Sequence, residues 1–331
     1  MNTALNASAP NPSSTHRRAW RAPLSALALA VSASLAGLSL PVSAARDGVE
    51  VGSQSKFAKL VPAEQVEAAA AQQFAQMQQQ ARQQNALLPD NHPQVVRLGT
   101  IAKRLIPYSL SWNKRASQWR WEVIALQSKD INAFCMPGGK IAFYTGILET
   151  LKLTDDEVAM IMGHEIAHAL REHARERMGK TAATRLGANL LSGLLGLGNT
   201  GDALLNMGGQ LLTLKFSRED ESEADLIGME LAARAGYDPR AGVTLWQKMA
   251  AASKGAPPQF LSTHPSGKTR IQDIQASLPK VMPLYDRADK PRQRWDAPAR
   301  SSYLDAADTV ALAYWGKAVT VSPPAAHGHA H

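Results

Sequence analysis

His164-Glu165-Ile166-Ala167-His168 is the stretch of this 331-residue chain with the clearest capacity for chemistry. On a helix, His164 and His168 stand one turn apart on one face, so both imidazoles reach a single zinc ion. Glu165 between them is then placed to take a proton from a water that the metal activates. Such an ion brings the pKa of its water near neutrality and polarises a carbonyl, which suits hydrolysis of a peptide bond. A catalytic zinc needs a third protein ligand and an open position. No Gly and third His follow soon after His168, which argues against the metzincin arrangement. The best downstream source is the acidic run Ser217-Arg218-Glu219-Asp220-Glu221-Ser222-Glu223-Ala224-Asp225, which without the histidine motif would read as a solvated face.

These groups need helices to hold them. Thr154, with Glu157 three residues on, is a capping-box start, and Val158, Ile161, Met162 and Ile166 continue at helical spacing. His173 lies nine residues past His164, which on an unbroken helix turns it to another face. There, among Arg171, Glu172, Arg175 and Glu176, it reads as a polar surface residue. Upstream, helices are expected from Pro62 to Ala86 and from His92 to about Ile106. Strands are expected over Trp119–Leu126 and Ile131–Cys135. Met136-Pro-Gly-Gly139 then supplies a turn, and Lys140–Tyr144 returns as the second arm of a hairpin. Helices dominate from Thr154 to about Leu278. The fold class is mainly α with a small β-sheet, α+β.

The combination of motifs is specific. His164-Glu-Ile-Ala-His168, then Glu221-x-x-Ala-Asp225, then Thr263-His264-Pro265 with Arg270 after it, resembles the HtpX and CAAX-prenyl-endopeptidase family of zinc metallopeptidases. Asn132-Ala-Phe ahead of Pro137-Gly-Gly139, and Gly146-Ile-Leu, resemble the strand that precedes that family's active helix. The resemblance covers about residues 60–278 and is greatest to small exported bacterial members related to the mitochondrial inner-membrane quality-control protease. The membrane spans of HtpX and the helical-repeat domain of some periplasmic members are missing, so substrate knowledge transfers poorly.

The resemblance implies a zincin-like fold, with His164, His168 and Glu221 as ligands of one zinc ion and Glu165 as general base. It implies that Asp225 accepts a hydrogen bond from a ligand histidine. His264 would lie near the zinc, either stabilising the developing oxyanion or occupying the open position at rest. Gly139, Lys140, Ile141 and Ala142 would begin the edge strand that pairs with an extended substrate. Protein or peptide substrates, misfolded envelope proteins among them, are the implied partners. A rival reading is a chaperone-like assembly factor for envelope proteins, with a structural or latent zinc site.

Helical phase bears on the acidic run. Glu219, Glu221 and Glu223 can all bind zinc, but at ~100° per residue Glu221 shares a face with Ala224, Asp225, Gly228 and Ala232. That face is small enough to pack closely on the histidine helix. Glu223 points about 160° away, on the side of Glu219 and Glu230. The alternative is that Glu221 and Asp225 pair with arginines such as Arg218 on a solvated surface.

The ends of the chain read differently from its middle. Arg17, Arg18 and Arg21, the apolar stretch Pro23–Pro41 and Val42-Ser43-Ala44 form a signal peptide over residues 1–44, cleaved near Ala44, with an uncleaved anchor helix as the alternative. Export to the periplasm follows, with peripheral membrane contact open. The metallopeptidase domain is expected over 45–279 and a C-terminal tail, partly disordered, over 280–331. Leu186–Gly198 is apolar but too short to span a bilayer, and reads as a lid over the cleft or a buried helix. The final Ala326-His-Gly-His-Ala-His331 is assigned no site. With 45% hydrophobic and 19% charged residues the chain is not a disordered one. One cysteine, Cys135, excludes an internal disulfide framework. The net charge of +8 is scattered rather than striped, so nucleic acid is not the expected partner.

Overall fold

A computed structural model describes residues 47–186, 201–253, 258–265 and 269–295. The expected signal peptide, all but the first residue of the apolar stretch Leu186–Gly198, and the chain beyond 295 lie outside the described residues. No helix among the described residues is long and apolar enough to cross a membrane.

The described chain is mostly helical, built around one three-stranded sheet. Helix α1 (Ala63–Gln83) is followed by α2 (Pro93–Leu105), whose start is capped by the His92 side chain accepting from the Gln94 backbone N–H. Strands β1 (Glu122–Leu126), β2 (Ala133–Met136) and β3 (Lys140–Tyr144) come next. The turn before β3 needs glycine. Gly138 and Gly139 have φ of 83° and 76°, and a Cβ on Gly139 would fall 2.6 Å from the Trp121 ring.

The sheet order is β1-β3-β2, with β1 parallel and β2 antiparallel to β3. This corrects the expectation that Gly139–Ala142 lies at the edge: Gly139 belongs to the turn, and β3 is the central strand, paired on both sides. The physical reason is its composition. Ile141, Ala142 and Phe143 form a continuous apolar run, fully buried, which suits a strand covered on both faces. The end position on the site's side belongs to β2.

After α3 (Thr145–Thr150) comes α4 (Asp155–Leu170), which begins with the capping box Thr154–Glu157. A second chain turn then starts α5 (His173–Leu186). Helix α6 (Gly201–Leu211) packs on α1. Helix α7 (Arg218–Arg234) opens with its own capping box, Ser217 with Asp220. It is followed by α8 (Ala241–Ala252), the short α9 (Gln259–Thr263) and α10 (Arg270–Arg287). The expected boundary between 279 and 280 falls inside α10, which continues through Pro279 and Pro283. Burial of Ile274, Val281 and Leu284 against the core outweighs the backbone hydrogen bonds that the prolines cannot make. The described part of the tail also turns back on the core: the Trp295 backbone N–H donates to Asp155 at 2.8 Å, and Arg294 pairs with Asp156.

The core centres on α4, every residue of which is buried except Asp156, and on α7 lying across it. The two helices touch backbone to backbone where Gly163 faces Gly228. A Cβ on Gly163 would be 2.8 Å from the Gly228 carbonyl oxygen, and one on Gly228 would be 2.7 Å from the His164 nitrogen. Gly228→Ala should therefore force the helices apart and cost about 1–3 kcal/mol. Urea denaturation checks this, and an unchanged midpoint would show that the crossing has slack.

Candidate metal centre

Four elements meet at one buried point. Helix α4 brings His164, Glu165 and His168, and α7 brings Glu221 and Asp225. His264 is the capping residue just after α9, and the first residue of α10 is Arg270. All seven residues are at most 9% exposed. The cluster His164, His168, Glu221 and His264 offers one donor atom each, all within 4.8 Å of one another. His164 Nε2 lies 3.0 Å from His168 Nε2 and 3.3 Å from His264 Nδ1. Glu221 Oε1 is 3.3 Å from His168 Nε2 and 3.0 Å from His264 Nδ1.

The surroundings fix these rings. Asp225 Oδ1 lies 2.9 Å from His164 Nδ1 and accepts its N–H, which leaves the Nε2 lone pair facing the cluster. Phe216 stacks on His168 with centroids 4.0 Å apart, and Phe260 stacks on His264 at 4.4 Å. Arg270 donates to Glu221 at 2.8 Å and to Asp225 at 2.7 Å, and its guanidinium lies 3.4 Å over the Trp246 ring.

Electrostatics set the protonation tendencies. Burial pushes the Glu165 carboxyl above its ordinary range. Burial also opposes ionisation of Glu221, but its close contacts with the His168 and His264 rings outweigh it and hold that carboxyl well below the ordinary range. Asp225 behaves likewise: burial raises it, and the Arg270 charge with His164 brings it below the usual value. Burial drives His168 far down, toward the neutral imidazole that can offer a lone pair. Burial would lower His264 too, but the carboxylates of Glu165 and Glu221 outweigh it and raise its pKa.

The donor set fits a metal ion. With neutral imidazoles and ionised acids, three buried carboxylates (Glu165, Glu221, Asp225) and one guanidinium leave two negative charges, which a divalent cation would balance. Glu165 Oε1 is buried and accepts no hydrogen bond; it lies 3.5 Å from His264 Nε2, beside the cluster. Three nitrogens and one carboxylate oxygen are a zinc-type donor set.

Two expectations need correction. His173 is not a surface residue: it is 2% exposed, and its Nδ1 lies 2.9 Å from His168 Nδ1. The helix carrying His164 does not run on unbroken. It ends at Leu170, and Glu172 takes a left-handed φ of 58°, which swings His173 back under the site. Glu223, which helical phase set apart from Glu221, does point away from it, but it accepts from His173 Nε2 at 2.8 Å and pairs with Arg171 at 2.9 Å. Arg270 was visible as part of a motif, yet nothing local in the sequence marks it as counter-ion to both acids. Beside the centre, a groove runs between the outer edge of β2 and the 211–216 segment, lined by Phe134, Cys135, Glu165, Leu212, Phe216 and His264.

Comparison with known proteins places this geometry in context. A family model described as "Peptidase family M48" matches residues 96–278, which include every residue of the cluster. The mitochondrial metalloendopeptidase OMA1 of Schizosaccharomyces pombe is 36% identical over 212 residues, 63% of this chain and 60% of that protein. The metalloprotease LoiP of Escherichia coli is 30% identical over 198 residues, 57% of this chain and 72% of LoiP. The beta-barrel assembly-enhancing protease of Yersinia pestis is 28% identical over 203 residues, 56% of this chain and 39% of that protein. The match thus spans less than two thirds of the OMA1 protein's own length.

The buried Arg270 yields a prediction for the metal-free protein. Arg270→Met leaves Glu221 and Asp225 without their cation and should cost about 3–5 kcal/mol at pH 7. Arg270 lowers the folded-state pKa of Asp225, so its stabilisation is complete above the unfolded value of ~3.9 and is lost as pH falls through the lower folded value. Urea titrations of chelator-treated wild type and variant should therefore diverge at pH 7 and converge toward pH 3. A constant difference across that range would show that the loss is one of packing.

Proposed function

We propose a zinc-dependent endopeptidase from one premise: the chain belongs to peptidase family M48. His164, His168 and Glu221 would hold the ion, with Asp225 orienting His164. Zinc, when bound, supplies a Lewis acid for the scissile carbonyl and for the attacking water. The remaining chemistry falls to the chain's own groups. Glu165 takes the proton from the water at its buried Oε1 and delivers it to the leaving amine. Its raised pKa keeps it near the range in which it can do both. The observation that carries this reading is that buried carboxylate oxygen, which accepts no hydrogen bond and stands beside three imidazoles and Glu221. A purely structural site needs no such base.

The substrate would be polypeptide in extended form, pairing with the outer edge of β2 rather than with β3, since β2 ends the sheet and lines the groove that contains Glu165. The name of one relative, the beta-barrel assembly-enhancing protease, together with the leader expected over residues 1–44, supports a periplasmic site of action on misfolded envelope proteins. One observation favours the second reading, an assembly factor with a latent site. His264 Nδ1 lies among the other three donors and would complete a closed tetrahedral set. We take His264 as the resting occupant of the position that water must reach.

Four variants test these roles with casein as substrate and bound zinc measured in parallel. Glu165→Gln should keep its zinc while cleavage falls about 10²–10⁴-fold, and undiminished cleavage would remove Glu165 as the base. Glu221→Ala should lose zinc and activity together, whereas Glu219→Ala should keep both. His264→Ala should raise basal cleavage several-fold. A fall would make His264 a stabiliser of the oxyanion instead, and wild-type kinetics would take it out of the site.

A further inference from the structure

His173 serves no part of the mechanism above, yet its position is costly to maintain. It is nearly inaccessible, and the chain reaches it through Glu172 in the left-handed region, where a residue other than glycine costs roughly 1–3 kcal/mol. Strain of that kind is kept where the surroundings require one placement. Here they require His173 between two partners: Nε2 is 2.8 Å from Glu223 Oε2, and Nδ1 is 2.9 Å from His168 Nδ1.

Those two contacts determine which nitrogens carry protons. An ionised carboxylate only accepts, so a neutral His173 places its proton on Nε2, toward Glu223, and Nδ1 is left as a lone pair. With no cation between them, two bare lone pairs cannot face each other at 2.9 Å, so His168 carries its proton on Nδ1 and donates it to His173; the Nε2 atoms of His164 and His168, 3.0 Å apart, are the pair that a metal ion would satisfy. The Nε2 of His168 is then unprotonated and directed at the cluster. Glu223 is itself anchored: Oε1 pairs with Arg171 at 2.9 Å, and the Arg171 guanidinium also donates to the Gly52 carbonyl at 2.6 Å.

We propose that His173, held by Glu223 and Arg171, is a positioning residue of the metal centre that fixes His168 as the tautomer with its Nε2 free for the metal. Asp225 does the same for His164 directly, so the two histidines of the motif are oriented by different devices, a carboxylate for one and a histidine–carboxylate pair for the other. The inference rests on the zinc reading above, and the experiment separates the two.

Zinc affinity is measured by competition with a chromogenic chelator, alongside the melting temperature of the metal-free protein. His173→Leu should bind zinc about 10–100-fold more weakly than wild type. His173→Asn, whose carbonyl oxygen can accept from His168 Nδ1, should bind close to wild type. Glu223→Ala should shift affinity in the same direction as His173→Leu, by less. Equal affinity for His173→Leu and wild type would overturn the inference while leaving the zinc site standing. Absence of zinc binding by wild type would instead overturn the zinc reading. Should His173→Leu fail to fold, the wild-type protein still decides: long-range proton–nitrogen NMR of the zinc-loaded protein should show His168 protonated at Nδ1, and a bare Nδ1 would refute the proposal.

Discussion

The contact between Gly163 and Gly228 sets the distance on which the rest of the centre depends. Two histidines on one helix and a carboxylate on another can share a point only if the helix axes come close enough for their short side chains to meet. Backbone contact at a pair of glycines gives that closeness, and it occurs next to His164 itself and within two turns of Glu221. Ala224 and Ala232, both fully buried, continue the narrow face on either side. A larger residue at the crossing would separate the donors without touching any of them. The crossing also bears on how three acids and an arginine come to be buried: charges drawn out of bulk water between close helices must satisfy one another.

The helices that carry the centre are tied at their ends by chain segments from outside the motif. Near the start of the described chain, the Val49 backbone N–H donates at 2.8 Å to Glu230, a fully buried carboxylate on α7, and Asp47 pairs with Arg234 at 2.9 Å. Near its end, residues 294 and 295 bind Asp155 and Asp156 in the first turn of α4. Arg97 adds a buried pair with Asp155 at 2.7 Å. Each tie uses a hydrogen bond or ion pair to a helix, so the axes crossing at the glycines are held along their length.

What the sequence made legible was local. The start of α4 could be read because Thr154 and Glu157 are three residues apart, and the turn before β3 because Pro137, Gly138 and Gly139 are adjacent. The small face of α7 could be read from Glu221, Ala224, Asp225 and Gly228, since helical phase acts over a few residues. The order of the strands was not legible, because pairing β1 with β3 across β2 is decided by packing between distant segments. Nor was the break at Glu172, where no glycine or proline interrupts the pattern and a non-glycine residue takes the left-handed conformation. That single turn separates a surface histidine from one buried beneath the centre. Arg270 was legible as a residue but not as a counter-ion, since its two carboxylates lie on another helix.

The short β2 strand has a consequence for what can be admitted. Its outer edge is four residues long and is walled by Leu212 and Phe216 on the side away from the sheet. A strand that already belongs to another sheet brings neighbours with it, and those neighbours would collide with the wall. A lone backbone with unspent hydrogen bonds has no such encumbrance and can lie lengthwise in the groove. On the peptidase reading proposed above, discrimination would then need no preferred side-chain sequence: the groove would test whether a polypeptide has lost its own fold, and the walls that guard the strand would also keep this protein from stacking edge to edge with its own kind.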